Sequence, residues 1–483
     1  MADLVIRKKN EVFLRVECDP HIKHELQDQF TFDVPGAKFM PQYRNKYWDG
    51  KIRLFNMDRG EIYCGLIDKL QVFCERYSYT FEFEENKHYG LPYEENDSFS
   101  EEGVRDYLTT ISKYKPRDYQ VEGVTDALRR NRRLLISPTA SGKSLMIYSI
   151  CRYHAENGRK ILLIVPTTSL VEQMYKDFED YGWDVEKYCY KIYGGAPRNT
   201  EQSVIISTWQ SIYKLDRKWF ANFEVVIGDE AHQFKSKSLV NIMTKMADTK
   251  YRYGFTGTLD GTQTHKWVLE GLFGPSYKII STKKLQDAGY LAKLNIKVLL
   301  MKHEPQKFDL YEDEVQYIIN NEKRNNFIKN LAHDLKGNTL ILYSRVATHG
   351  QVLFDLINIG NRKVFFVHGG VDAQEREEVR NLTETEKDAI IVASFGTFST
   401  GINIKNLHNI IFASPSKSRI RTLQSIGRVL RKGNNKVSAT LFDIADDTKK
   451  GSRNNYTLNH LIERIKYYNE EKFNYEILQI KIG

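Results

Sequence analysis

From about residue 110 onward the chain sets short apolar runs between longer stretches whose apolar positions recur every three or four residues. The runs are Leu134-Leu135-Ile136, Ile161-Leu162-Leu163-Ile164-Val165, Val204-Ile205-Ile206 and Val225-Val226-Ile227, with Tyr253-Gly254-Phe255 as a weaker one. A strand apolar on both faces needs cover on both faces. Such runs separated by amphipathic helices therefore predict a parallel sheet sandwiched by helices. The pattern repeats from about 295 to 447, in Leu340-Ile341-Leu342-Tyr343, Val364-Phe365-Phe366-Val367, Ile390-Ile391-Val392, Ile410-Ile411-Phe412 and Ala439-Thr440-Leu441-Phe442. The expected class is α/β, with two parallel-sheet lobes.

The ends read differently. Val12-Phe13-Leu14-Arg15-Val16 alternates like a half-buried strand, His21 to Phe30 has helical spacing, and Tyr63 to Phe83 mixes both signals. Polar and acidic residues around Tyr93-Glu94-Glu95-Asn96-Asp97-Ser98 suit a linker. Beyond Asn455, Leu458, Leu461, Ile462 and Ile465 share a helical face. The expected organisation is a small α+β accessory domain over 1–90 and a linker over 91–110. A first lobe follows over 111–285, a second over 286–450, and a helical tail over 451–483.

Lys and Arg exceed Asp and Glu by a formal +9 in 483 residues. That excess permits a polyanionic partner without requiring one. Cys18, Cys64, Cys74, Cys151 and Cys189 form no C-x-x-C pair, which argues against a zinc ribbon or iron–sulfur cluster and fits a reducing compartment. No apolar run approaches the roughly 20 residues of a membrane helix, and no signal peptide is visible. A cytoplasmic protein without membrane contact is expected.

The chemistry lies at strand ends. Ser137-Pro138-Thr139-Ala140-Ser141-Gly142-Lys143-Ser144 follows a strand and opens a helix, the context of a phosphate loop. Backbone N–H groups of Thr139 to Gly142 and the helix N-terminus would cradle phosphate. Lys143 would reach the β/γ-phosphates, and Ser144 would ligate Mg²⁺. Asp229-Glu230-Ala231-His232 ends another strand of the same lobe. Asp229 would hold Mg²⁺, Glu230 would orient the attacking water, and His232 would couple nucleotide state to the other lobe. Upstream, Gln120 offers the paired donor and acceptor that match an adenine edge, with Tyr119 to stack on the base and Arg117 beside them. Far downstream, Gln424-Ser425-Ile426-Gly427-Arg428-Val429-Leu430-Arg431 places Arg428 and Arg431 three apart. On a helix they would share a face and offer guanidinium charge to a transferring phosphoryl group, with Gln424 assisting.

Together these stretches resemble the ordered motifs of superfamily 2 helicases of the DEAH type, covering about 115 to 450. Ser137 to Ser144 resembles motif I, Asp229 to His232 motif II and Gln424 to Arg431 motif VI. Between them, Pro166 to Leu170 resembles motif Ia, Thr256-Gly257-Thr258 motif III, Tyr343-Ser344-Arg345 motif IV and Ser399 to Ile404 motif V. Thr208 to Ser211 and the segment from His368 through Arg376 fall in order. Tyr47 to Leu54 and Phe398 to Gly401 resemble members that remodel forks and junctions in T4-like phages. Ala140, Thr256-Gly257-Thr258 and Asn403 depart from common family residues. The resemblance implies two RecA-like lobes closing on ATP and Mg²⁺, and 3′→5′ movement on DNA. It also implies unwinding of branched DNA (forks, Holliday junctions, D-loops and R-loops, the last with an RNA–DNA hybrid) in recombination, repair and replication, by a monomer.

In such a protein Thr168, Thr208, Ser344 and Thr400, with backbone at Gly370, would contact phosphate along a strand, without reading sequence. Lys46, Trp48, Lys51 and Arg53 combine cations with an aromatic, the composition of a nucleic-acid grip and equally of a solvated hairpin. Two other readings share these residues: an RNA helicase with the same motor, and an ATP-gated annealing protein that does not unwind.

Overall fold

The computed structural model describes residues 2–371, 373–400, 404–432 and 436–482; the side chains of 373, 374, 376, 377, 399 and 400 fall outside that description. The chain divides into two compact units, residues 1–137 with 142–279 and residues 138–141 with 280–483.

In the first unit, the amino-terminal strands Leu4–Lys8 and Phe13–Cys18 pair antiparallel, Leu4 opposite Cys18 and Lys8 opposite Leu14. Phe81–Glu84 joins parallel to the first, and Glu61–Tyr63 and Phe55–Asn56 complete a five-stranded sheet. Leu4, Ile6, Leu14 and Val16 bury one face, as strict alternation requires. The helices Pro20–Gln29 and Ile67–Tyr77 add Ile22, Leu26, Leu70 and Phe73 to that core.

The same unit holds a seven-stranded sheet, all parallel, in the order Cys189–Ile192, Val204–Thr208, Ile161–Val165, Val225–Asp229, Tyr251–Thr256, Arg132–Ile136, Ser276–Lys278. Every residue of the Ile161, Val204 and Val225 strands is buried, as their uninterrupted apolar runs predict. The segment expected as a linker includes the helix Glu101–Ile111. Its Ser100 hydroxyl caps Gly103 N at 3.1 Å, and Val104 and Leu108, one turn apart, are buried. Two apolar residues among many charges carry the helical period weakly.

One hydrophobic core runs through both sheets of this unit. Trp267 lies 5.4 Å from the Phe30 ring and 5.0 Å from Phe32. The turn Cys64–Leu66 crosses the helix Gln263–Phe273 at glycines. A Cβ on Gly65 would overlap the Glu270 carbonyl oxygen, and one on Gly271 would sit 2.9 Å from Tyr63 Cβ. A buried ionic strip flanks this seam: Lys8 Nζ to Glu11 Oε1 at 3.0 Å, and Arg132 Nη2 to Glu11 Oε2 at 2.8 Å.

The second unit has its own seven-stranded, all-parallel sheet, ordered Val364–Val367, Ile390–Ser394, Thr339–Tyr343, Asn409–Phe412, Ser438–Asp447, Lys293–Lys302, Tyr475–Lys481. Beyond the helix Tyr456–Glu470, the tail contributes the last of these strands. The helix buries Thr457, Leu461, Arg464 and Tyr468, and leaves Ile462 exposed. Arg464 Nη2 pairs with Asp443 at 2.8 Å, fastening the tail to the sheet. Arg324, also fully buried, forks onto Asp446 at 2.8 and 3.0 Å.

Gly65→Ala is expected to destabilise the first unit by about 1–3 kcal/mol, since a methyl group must displace backbone. Limited proteolysis should then release the amino-terminal module, which resists cleavage in the parent.

Two deeply buried histidines contribute to the acid response. Burial, then the neighbouring Arg159, pushes His154 down to about 3; burial, then Arg324, does the same to His349. Each is neutral when folded and takes a proton near pH 6.5 when unfolded. Their contribution is full above that value and is lost as pH falls toward 3, by about 2 kcal/mol per histidine at pH 5. Melting temperature should fall from pH 7 to 5, and His154→Gln should flatten the fall.

Candidate active site and nucleic-acid edge

Parallel pairing puts the carboxyl ends of Arg132–Ile136, Tyr251–Thr256 and Val225–Asp229 side by side: Thr256 is opposite Ile136 and Asp229 opposite Phe255. The loop after Ile136 turns sharply. Ser137 N donates to Thr256 O at 2.9 Å, and Ser141 N to Pro138 O at 3.2 Å. Ala140 at φ +68° and Gly142 at φ +82° are left-handed, so N–H groups gather before the helix Lys143–Glu156. Ala140 thus adopts a conformation glycine favours. A Cβ on Gly142 would collide with the Gln120 amide nitrogen, so only glycine lets that side chain lie against the loop.

Asp229 is buried, and Glu230 after it is left-handed at φ +50°, its N–H donating to Asp229 Oδ1 at 2.9 Å. Burial pushes the Asp229 carboxyl up to about 6 against the pull of the Lys143 ammonium. Lys143 Nζ lies 3.3 Å from Glu230 Oε1. His232 Nδ1 lies 3.3 Å from Glu230 Oε2 and 3.1 Å from Thr256 Oγ1. Lys143, Glu230, His232 and Thr256, distant in sequence, form one polar chain along the sheet edge.

Gln120 and Tyr119 sit at the start of the helix Asp118–Arg130, both buried. Arg117 N donates to Gln120 Oε1 at 2.9 Å, and Arg117 Nη1 to the Tyr119 hydroxyl at 2.8 Å. Gln120 is therefore a helix cap as well as a neighbour of the phosphate loop.

Two features escaped sequence reading. The Tyr181 hydroxyl is 2.6 Å from Ser144 Oγ. Lys235, Asp260 and His265 form a cluster just past Thr256, with His265 Nδ1 2.6 Å from Asp260 and Lys235 in direct contact with it. Burial alone would raise the Asp260 carboxyl, but these donors outweigh it and hold it well below the usual range. Neither follows a motif spacing; only the fold brings these residues together.

In the second unit, Gln424 is buried on the helix Arg419–Val429, and Arg428 lies over the Phe398 ring, 5.8 Å from its centre. Arg431 corrects the expectation of one shared helical face. The helix ends at Val429, Leu430 O accepts from Ala292 N at 2.9 Å, and Arg431 bridges antiparallel to Leu291. Burial of Val429 and Leu430 pulls the chain out of the helix before Arg431.

Comparison with known proteins assigns the chain. The model for the amino-terminal domain of the DNA helicase UvsW matches residues 3–84. That for the type III restriction enzyme res subunit matches 113–261, and that for the helicase conserved carboxy-terminal domain 322–433. The ATP-dependent DNA helicase uvsW of Enterobacteria phage T4 is 34% identical over 97% of this chain and 98% of its own length. The chain belongs to the UvsW family of ATP-dependent DNA helicases. The crystal structure of T4 UvsW covers all of both chains with a TM-score of 0.53 at 32% identity. The DNA 3′-5′ translocase XPB2 of Sulfurisphaera tokodaii is 24% identical over 66% of this chain and 79% of its own length. S. cerevisiae Dbp5 bound to RNA and ADP BeF3, at 13% identity and a TM-score of 0.56 over 79% of this chain and 93% of its own, shares the fold.

For a UvsW-family helicase, the expected strand contacts are unevenly presented. Thr168 is exposed at the start of the helix Thr168–Tyr181, and Ser344 and Gly370 are exposed after their strands. Thr208 is buried, its hydroxyl 3.0 Å from Ser211 Oγ, so it reads as a local cap. The Thr400 side chain and residues 401–403 fall outside the described residues. In the amino-terminal module Lys46 and Lys51 are exposed. Trp48 is half-buried and donates to Lys51 O at 2.8 Å, and Arg53 pairs with Asp49 at 2.5 Å. The freely exposed aromatics are instead Phe39 and Tyr47, at 68% and 84%.

Gly142→Ala should cost about 1–3 kcal/mol through left-handed strain and the clash with Gln120. Binding of a fluorescent ATP analogue, followed by titration at a temperature where the variant stays folded, is expected to weaken at least tenfold.

Proposed function

We propose that the chain hydrolyses ATP at the Lys143–Glu230 edge to drive 3′→5′ movement on DNA and remodel forks, four-way junctions, D-loops and R-loops. The observation that carries the reading is the 3.3 Å approach of Lys143 to Glu230 beside buried Asp229. A group suited to a triphosphate and a group suited to a water nucleophile meet at one strand edge. Lys143 and the N–H groups of the turn bind phosphate, Glu230 orients the attacking water, and His232 ties Glu230 to Thr256.

Ser144 and Asp229 offer the hard oxygen donors that suit Mg²⁺, which takes few protein ligands and keeps its waters. Bound there, Mg²⁺ would neutralise phosphate charge. Arg428 supplies guanidinium charge for hydrolysis, with Gln424 and Arg431 beside it in sequence. Gln120 and Tyr119 orient the base. Thr168, Ser344 and Gly370 hold the phosphate backbone, with Lys46 and Lys51 gripping the branched side of the substrate. The protein acts as a monomer in the cytoplasm of the host cell. Among the described residues no helix is long and apolar enough to cross a membrane.

Glu230→Gln is expected to bind ATP yet lose turnover, and Lys143→Ala to lose both. Arg428→Ala should slow hydrolysis by about 10³–10⁵, the range of guanidinium contributions to phosphoryl transfer. ATPase assays with and without forked DNA, beside unwinding of matched DNA and RNA forks, test the whole reading. Unwinding of RNA forks alone, or strand pairing by the parent protein with ATP but without any unwinding, would overturn it.

A further inference from the structure

Parallel pairing in the second unit places Tyr343 opposite Ser394 and Lys302 opposite Asp447, so its strand ends also share one edge. Ser344 and Gly370, both proposed to touch phosphate, leave from this edge. So does a segment that none of the matched family models covers: the loop from Thr448 to Asn455.

This loop is a hairpin. Lys450 and Arg453 bridge antiparallel across Gly451, at φ +75°. Lys449, Lys450, Ser452 and Arg453 are all exposed. Two strand spacings, about 10 Å, separate its strand from Thr339–Tyr343 across the sheet, and the ladders set Asp443 level with Leu342, so the hairpin begins about 13 Å further along the strand direction.

The root of the hairpin is fixed. Asn455 donates to Glu314 at 2.7 Å and to Asp446 O at 3.0 Å, and its Oδ1 accepts from Thr448 N at 3.3 Å. Glu314, fully buried, also accepts from Tyr456 N at 2.8 Å and from Thr457 N and Oγ1, each at 2.7 Å. Gln306 N donates to Thr448 O at 2.9 Å. A cavity of about 120 Å³ opens between the hairpin and Gln306–Phe308, and Lys307, Lys450 and Arg453 bring three cations to its wall.

The carboxylates close by are already engaged: Glu314 by these donors, Asp447 by Lys302, and the exposed Asp309 by Lys307 at 3.7 Å. Among the described residues Lys450 and Arg453 form no ion pair. A metal cation finds no free carboxylate here, whereas an extended polyanion finds charge on a prearranged support.

We propose that the Lys449–Arg453 hairpin, with Lys307, is a further binding site for the phosphodiester backbone of DNA, continuing the strand path past Ser344. This rests on the DNA-helicase reading above. Its contacts are to phosphate, so it adds affinity and salt dependence without sequence preference.

The test measures Kd for labelled forked DNA over about 50–200 mM salt, for the parent and for Lys449→Ala/Lys450→Ala/Arg453→Ala. The plot of log K against log salt should flatten by about 2–3, since each lost phosphate contact removes about 0.7–0.9 from the slope. Affinity at the lowest salt should fall at least tenfold. Lys450→Glu alone, which leaves the hairpin root intact, should flatten it by about 1. Lys336→Ala/Lys387→Ala, exposed at the opposite edge of the same sheet, should leave slope and affinity unchanged.

Matching melting temperatures exclude misfolding as the cause. A triple variant with the parental slope and affinity overturns the proposal, as does equal loss in the Lys336/Lys387 variant, which would make net charge the cause. A parent that binds no forked DNA would sink the helicase reading itself, before any variant is compared.

Discussion

Parallel strand pairing is the constraint on which the rest depends. It sends every carboxyl end of a sheet to one edge, where backbone turns away and side chains are free to converge. In the first unit that edge collects the loop after Ile136, the acidic end at Asp229 and Thr256. The ladder puts Thr256 opposite Ile136 and Asp229 opposite Phe255, so no loop has to reach far. Lys143, Glu230, His232 and Thr256 can then touch although residues 143 and 256 are far apart in sequence. A one-residue slip in any of these strands would turn alternate side chains to the other face and scatter the chain.

Local backbone rules are broken where the chemistry concentrates. Ala140 and Glu230 are two of the few non-glycine residues with positive φ, and both lie at this edge. Such conformations cost about 1 kcal/mol or more and persist only when surroundings over-determine them. At Glu230 the surroundings are the hydrogen bond to Asp229 and the flanking Lys143 and His232. The strain turns the carboxylate off the strand direction and toward the phosphate loop. The burial that raises Asp229 acts in the same place, setting a desolvated carboxylate beside the Lys143 ammonium that opposes the shift.

Much of this was legible in the sequence, for a physical reason. Buried parallel strands are written as unbroken apolar runs, and their ends are where motifs must fall, so Lys143, Asp229 and Glu230 could be placed from the motif residues and the strands before them. Four strands at or next to a sheet edge were not legible. Cys189–Ile192 and Ser276–Lys278 are short, and Lys293–Lys302 and Tyr475–Lys481 mix charge with apolar residues, Tyr475–Lys481 being a largely exposed edge strand. Arg431 was misplaced because periodicity does not register the pull of Leu430 toward Ala292. Trp48 and Arg53 look like a binding surface in sequence, yet their polar atoms bond to near neighbours at the surface, Lys51 O and Asp49. A composition cannot say which of its own members a cation or an indole will choose.

The seam between the amino-terminal module and the first parallel sheet was the least legible feature, and it has a mechanical consequence. Glycine against backbone at Gly65 and Gly271, an indole between two phenyl rings, and the Lys8–Glu11–Arg132 strip share a continuous core. Removing one member of a buried ionic strip leaves charge uncompensated, so the strip specifies a docking geometry more than it adds net stability. A hinge would have to expose Trp267 and break those pairs together. The exposed face carrying Phe39, Lys46 and Tyr47 therefore travels with Lys143 and the first parallel sheet as one body. Under the proposed function, a strand held by that face would be displaced in step with Lys143, and motion driven from Lys143 would reach it through packed side chains and not through a flexible tether.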